Sequence, residues 1–260
     1  MATNIKDKPK SNAPMLIIGA VLVVAVIGGL WYMQQSRANT PTAAANNSNA
    51  TPKTQPTQSS SIPPGAPQGA NPPNSFGSPS AAVRLEEFAD FQCPQCGAKH
   101  AVFNEIKSMY GSRIYFVFRE NPLSIPAHDK AYEAAVAAEA AGMQGKFWDM
   151  QNMLFSNQQA WTAAPTYKQI WKDYAAKIGL NTDRWESDMA GIAAKGRVDS
   201  DLQRSKAIGV NSTPTLYLNE KAFPFEKMTV EGLKAAIDEE LQKGGKTASA
   251  PASNEANTAK

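Results

Sequence analysis

In a chain of 260 residues the 26 Lys and Arg nearly cancel the 23 Asp and Glu, and the net charge of +3 is too small to support a nucleic-acid-binding function. Only two cysteines are present, Cys93 and Cys96. Any sulfur chemistry is therefore confined to one C-x-x-C.

The charge is unevenly spread. Lys6, Lys8 and Lys10 precede an uncharged run from Pro14 to Tyr32 that ends in Trp31-Tyr32. At about 1.5 Å per residue a helix over 14–33 crosses a bilayer core of roughly 30 Å, with the aromatic pair at the far interface. The lysines place residues 1–13 in the cytoplasm, so the run is predicted to be a single-pass signal anchor that leaves the rest of the chain outside. The competing reading is a cleaved signal peptide, with Thr42-Ala43-Ala44-Ala45 as the small-residue site. Against it, the apolar run is longer than the roughly 7–15 residues of a signal-peptide core.

Residues 34–80 are rich in Pro, Ala, Asn, Ser, Thr and Gln, with Arg37 and Lys53 as their only charges. Without apolar periodicity they are predicted to be a disordered tether, and 244–260 a disordered tail. Between them, 81–243 forms one folded domain.

Within that domain Ala82–Ala89 reads as a strand, and Pro94–Tyr110, with Val102, Phe103, Ile106 and Met109 at helical spacing, as an amphipathic helix. The C-x-x-C lies at the junction. Cys93 is the expected N-cap, with Pro94 at the first helical position, where its missing N–H costs nothing. A thiolate there faces the unpaired N–H groups and the positive end of the helix dipole, which lowers its pKa below the roughly 8.5 of a free thiol. Cys96, one turn further in, is better shielded and suits a resolving thiol. Arg113–Arg119 reads as a second strand. Asn121-Pro122 and Ile125-Pro126 end it, and a helical block follows over about 126–208, with helices at 128–141, 145–155, 166–178 and 192–208. Then come a strand at Thr215–Leu218, a turn at Asn219-Glu220, a short partner at Ala222–Phe225 and a closing helix at Val230–Leu241. Strands divided by a helical insert make an α/β fold.

The same residues admit other roles. A structural disulfide closing so short a loop constrains the unfolded chain very little. Zinc or copper could draw on Cys93, Cys96, His100 and His128, but His128, near Pro126, sits at no recognised zinc spacing, an exported thiol site would face oxidation, and both histidines are expected at the surface. Met143, Met150 and Met153, at helical spacing, are expected to fill the core and not to bind copper. Asp90 and Lys99 are expected as surface charges, and the residues alone do not say whether Glu86 or Glu87 is buried.

Phe91-x-Cys93-Pro94-x-Cys96 after a strand, and Gly209-Val210-Asn211-Ser212-Thr213-Pro214-Thr215 before a late strand, resemble the thioredoxin superfamily. The likeness is to its DsbA-like thiol:disulfide oxidoreductases with a helical insertion, and it covers about Ala81–Leu241. The resemblance implies a cis Pro214 facing the cysteines and a Thr213 backbone free to bond an extended substrate. It implies that Pro94 and Gln95 contact substrate, and that Glu87, six residues before Cys93, is the buried acid beneath the site, able to exchange a proton with Cys96. The dipeptide Pro94-Gln95 lacks the histidine of the strongly oxidising relatives, and Ser212 stands where many have glycine.

The expected function is disulfide formation in exported proteins, with no cofactor and with a membrane partner that recycles the cysteines. The alternatives are a tethered reductase or isomerase, or a metal-binding module built on the same sulfurs.

Overall fold

The structure is a computed structural model and describes residues 60–248, with side chains to 243. A five-stranded sheet has the order β1-β3-β2-β4-β5, built from β1 (Asn74–Gly77), β2 (Val83–Ala89), β3 (Ile114–Glu120), β4 (Thr215–Leu218) and β5 (Lys221–Phe223). β2 is parallel to β3, and the other pairings are antiparallel. α1 (Pro94–Tyr110) connects β2 to β3 and packs with the closing helix α8 (Val230–Ala248). The insertion between β3 and β4 comprises α2 (Ala131–Gly142), α3 (Phe147–Ser156), α4 (Gln158–Ala163), α5 (Tyr167–Lys177), α6 (Thr182–Ala190) and α7 (Ile192–Ala207). Among the described residues no helix is long and apolar enough to cross a membrane, and the apolar run 14–33 lies outside them.

β2 is central and buried along almost its whole length. Alternation along the strand sends Leu85, Glu87 and Ala89 to one face and Glu86 and Phe88 to the other. Leu85 and Ala89 join the main core with Phe103, Ile106, Leu233 and Ile237 of α1 and α8. Phe88 joins a smaller cluster with Ile208, Val210 and Tyr217, onto which Ile62 and Ala66 pack.

That last contact corrects the expected tether. Residues 60–80 belong to the domain: Ile62 N–H donates to the Glu220 carbonyl at 2.8 Å, Ala222 N–H to that of Ser60 at 2.9 Å, and β1 pairs along β3. The segment carries no periodic apolar face because it is held mostly by backbone and polar contacts to distant residues. Ala70 N–H donates to Asp201 Oδ1 at 2.7 Å, Asn74 Nδ2 to Glu139 Oε1 at 2.7 Å, and Trp148 Nε1 to the Ser75 carbonyl at 3.2 Å. The predicted tail is likewise overtaken, since α8 continues to Ala248. Helices α4 and α6 were not foreseen. Met150 is fully buried and Met143 packs on the same core, as core fillers do, whereas Met153 is half-buried and belongs to neither apolar cluster.

Glu86 anchors the second face. Arg204 of α7 grips it with Nε and Nη2, both at 2.8 Å, and Arg119 of β3 adds Nε at 2.7 Å. Arg119 Nη1 reaches Asp201 Oδ1 at 2.9 Å, and Arg204 Nη1 the Pro67 carbonyl at 2.6 Å. Burial alone would raise the Glu86 pKa, but the two guanidiniums hold it below the ordinary value. Removing one partner of such a buried network leaves uncompensated charge. Arg204→Ala is therefore expected to cost about 3 kcal/mol in urea-melt stability, whereas Lys146→Ala, which breaks an exposed pair to Asp149, should cost under about 1 kcal/mol.

Candidate functional site

The C-terminal end of β2 delivers Asp90-Phe91-Gln92 into α1. Phe91 is fully buried, with its ring 4.7 Å from that of Phe155 and 5.7 Å from that of Phe118, so the turn has an apolar foot. Cys93 is the N-cap of α1, in extended backbone, and Pro94 opens the helix. The Cys93 residue is 6 % exposed and Cys96 is closed off, while Pro94 and Gln95 stand in solvent. Thr213–Pro214 is a cis peptide, and Cys93 Sγ donates to the Thr213 carbonyl at 3.3 Å. The structure thus brings together Cys93, Cys96, Thr213 and Pro214 from opposite ends of the domain.

Both thiols are free, and their environments differ. The Cys93 pKa is brought down to about 5, first by a hydrogen bond from the Cys96 side chain, against the upward push of burial. The Thr213 side chain and the backbone N–H groups of Cys96 and Gln95 lower it further. The Thr213 hydroxyl, buried with no partner beside the thiol form, is a donor the thiolate can take. Burial pushes Cys96 well above its ordinary value, and the charge on Cys93 adds to this; the Asp90 N–H, 3.5 Å from its sulfur, pulls the other way. One negative charge is thereby placed on the outer sulfur.

Glu87 occupies the face of β2 that carries α1, in register with Phe118 and Leu216. Burial pushes its carboxyl up to about 8, opposed by Lys107 of α1. Burial brings Lys107 down to about 8, opposed by Glu87. The ammonium lies 4.2 Å from the centre of the Trp148 ring, a favourable place for a cation. An ionised Glu87 would raise the Cys96 pKa, so the acid senses the inner thiol.

Several expectations fail here. Asp90 is a buried side chain and not a surface charge: Oδ1 accepts from Gln92 N at 2.6 Å, and Oδ2 from Leu123 N at 2.8 Å and His128 Nδ1 at 2.6 Å. His128 is therefore engaged. His100 is buried too, between Asn152 at 2.8 Å and Asn104 at 3.0 Å; burial lowers its pKa to about 4, helped by the Lys107 charge. Lys99 lies over the Phe225 ring at 4.9 Å. Among the described residues no three His, Cys, Asp or Glu side chains converge on a metal position.

Sequence reasoning also missed Gln158, whose Nε2 donates to the carbonyls of Phe91 at 2.7 Å and Cys93 at 2.9 Å. It covers Gly97, where an added Cβ would stand 2.8 Å from Gln158 Oε1. Pro94, Gly97, Phe155 and Gln158 line a groove of about 510 Å³ beside Cys93. Nothing in the sequence marks Gln158. Asp90 left a trace, an Asp accepting from the residue two further on, which is the Asx-turn pattern. Lys107 left another, a cation at a helix position four after the buried Phe103.

A family model described as Thioredoxin matches residues 71–239. The chain belongs to the thioredoxin family. Among solved members of that fold it is similar to Wolbachia pipientis alpha-DsbA1, with 18% identity over 68% of this chain and 94% of that one and a TM-score of 0.58. It is similar also to oxidised BdbD from Bacillus subtilis, at 21%, 68%, 98% and 0.55. The fold is thus a DsbA-like thioredoxin fold with a helical insertion. In sequence it is 34% identical over 147 residues to "Na(+)/H(+) antiporter NhaA 1" of Mycolicibacterium gilvum, and 33% identical over 159 residues to "Na(+)/H(+) antiporter NhaA 3" of Salinispora tropica. These matches take in 56% and 60% of this chain, and only 23% of either relative.

Two measurements follow from the thioredoxin site. Alkylation of Cys93 by iodoacetamide should rise with pH through a midpoint near the value of about 5 given above and level off by neutral pH; a midpoint near that of free cysteine would contradict the donor arrangement. For Glu87, the folded pKa of about 8 exceeds the ordinary 4.5, so between these values the folded state binds more protons and stability falls as pH rises. The stability advantage of Glu87→Gln over wild type should therefore grow, by on the order of 5 kcal/mol, between those two pH values, and stay constant above them.

Proposed function

We propose that this chain is a thiol:disulfide oxidoreductase acting as a disulfide oxidase on exported proteins, held by residues 14–33 in the cytoplasmic membrane with the domain on the outer side. The observation that carries the reading is the placement of Cys93 at the N-cap of α1, its sulfur against Thr213 of the cis Thr213–Pro214 peptide and above a closed-off Cys96, an arrangement that favours the thiolate. A stabilised thiolate favours the dithiol form, and a favoured dithiol makes its disulfide an oxidant. Export adds a compartment in which new disulfides persist.

In the reaction a client thiolate attacks Cys93 Sγ of the Cys93–Cys96 disulfide, forming a mixed disulfide and releasing Cys96, which takes up a proton. A second client thiolate then attacks the client sulfur of that bond. The client disulfide forms, Cys93 leaves as the thiolate, and two electrons have passed to the pair. Glu87, mostly protonated at neutral pH, is the acid that supplies or receives the Cys96 proton. Pro94 and Gln95 face the client, and the Thr213 backbone before Pro214 lies along its extended chain, beside Cys93. A membrane redox partner reoxidises the pair, and no cofactor is needed.

Cys96→Ser should accumulate mixed disulfides with exported thiol proteins on non-reducing gels, whereas Cys93→Ser should not; the opposite result reverses the two roles. The oxidised chain as sole oxidant should also accelerate refolding of a reduced, unfolded disulfide protein. No acceleration, together with a potential near the roughly −270 mV of thioredoxin, would replace the oxidase by a tethered reductase. Stoichiometric zinc or copper in the reduced chain with no turnover would replace both.

A further inference from the structure

Asp90 touches both cysteines and the start of the insertion. Its main chain serves the C-x-x-C: the carbonyl accepts from Cys93 N at 3.1 Å, and the N–H points to Cys96 Sγ at 3.5 Å. Its side chain is fully enclosed and bonded to the segment after β3, at Leu123 N and His128 Nδ1. Gln92 repeats the link, giving Nε2 to Asp129 at 3.0 Å and accepting from Lys130 N at 2.6 Å.

The geometry explains why the N–H is available. β2 ends at Ala89, whose carbonyl takes Asn121 N–H at 2.8 Å. The next amide therefore has no strand partner and turns to sulfur. Its direction is set by the Asp90 side chain, which is clamped at both oxygens; His128, with its side chain 10 % exposed, is the outer jaw of that clamp. Since both Asp90 oxygens act as acceptors, Nδ1 of His128 is the donor.

We propose that His128 and Asp90 are positioning residues for the resolving step, holding the Asp90 N–H against Cys96 Sγ so that the inner sulfur can become the attacking thiolate. This rests on the redox reading of the cysteine pair. In the oxidising direction with oxidised glutathione, the Cys93 thiolate attacks one glutathione sulfur and releases glutathione thiolate. Cys96 then loses its proton, attacks Cys93 Sγ and forms the internal disulfide. The bond to glutathione breaks, and a second glutathione thiolate leaves and is protonated. Two electrons move from the pair to glutathione, and only the second step uses Cys96 as nucleophile. A hydrogen bond to a charged group contributes enough to change that step about tenfold.

The test mixes the reduced full-length chain with oxidised glutathione, quenches in acid, and follows the Cys93–glutathione adduct by mass. His128→Leu is expected to slow decay of the adduct about tenfold while leaving the alkylation rate of Cys93 at its wild-type value. His128→Asn, whose Nδ2 can stand where the imidazole Nδ1 donates, is expected to restore decay to within about twofold. A merely structural role would move the melting temperature and both steps together. Should His128→Leu fail to fold, Asp90→Asn takes its place, since one of its acceptors becomes a donor facing the Leu123 N–H. If the leucine variant resolves the adduct as fast as wild type, or the asparagine variant as slowly as leucine, the positioning role is overturned and the redox function stands. If the wild-type chain forms neither adduct nor disulfide, both are overturned.

Discussion

The structure depends on two adjacent carboxylates that β2 carries into the interior. Burying a charge costs several kcal/mol unless it is compensated, and consecutive strand residues face opposite sides, so Glu86 and Glu87 meet different solutions. Glu86 meets the guanidiniums of Arg119 and Arg204 at hydrogen-bond distance, with that of Arg84 at 3.7 Å, stays ionised, and fastens α7 to the sheet. Through Ala70 and Pro67, the same arginines and Asp201 bring in residues before β1. Glu87 meets only the lowered ammonium of Lys107 and keeps its proton to about pH 8. One strand therefore provides a structural clamp on one face and a proton-holding group on the other.

The cysteines are separated by the same logic of environment. They are one turn apart, yet one pKa falls and the other climbs, because donors converge on Cys93 while burial acts on Cys96. Gln95 supplies no cation, so the lowering at Cys93 comes from the Cys96 thiol, Thr213 and the first backbone amides of α1. A neutral Glu87 matters here, because an ionised one would add negative charge near a site that already holds a thiolate. Thiolate stabilisation and the withheld charge act in the same direction, toward the reduced pair.

Much of this could be read from the chain because local chemistry decides it. Pro94 after a strand and before amphipathic spacing marks the helix start, and α1 runs from Pro94 to Tyr110 as the pattern says. Asn219-Glu220 marks the hairpin, where both residues take left-handed backbone, with φ of 45° and 65°. Thr-Pro before a strand marked the cis peptide through family resemblance. What escaped was whatever depends on partners far along the chain. Residues 60–80 look like tether because nothing within them shows a core. Asp90 looks like a surface acid until the fold brings Leu123 and His128 to it, and Gln158 is unremarkable until α4 lies over Gly97.

Those long-range contacts show how the insertion serves the site. It reaches the C-x-x-C turn from two sides, with Gln158 holding the carbonyls of Phe91 and Cys93 and the segment 121–130 holding Asp90 and Gln92. A turn fixed on one side only could tilt, and a small tilt would move the first amides of α1 away from the Cys93 sulfur. Glu120, at the end of β3, fits the same picture. Both of its carboxyl oxygens are buried without a partner, and burial, followed by the carboxylates of Glu139, Asp201 and Asp90, pushes its pKa well above the ordinary value. Kept neutral, it adds no negative charge one strand away from Asp90. Glu120 thus adds nothing to the negative charge that Asp90 and Asp201 already place at this end of the sheet.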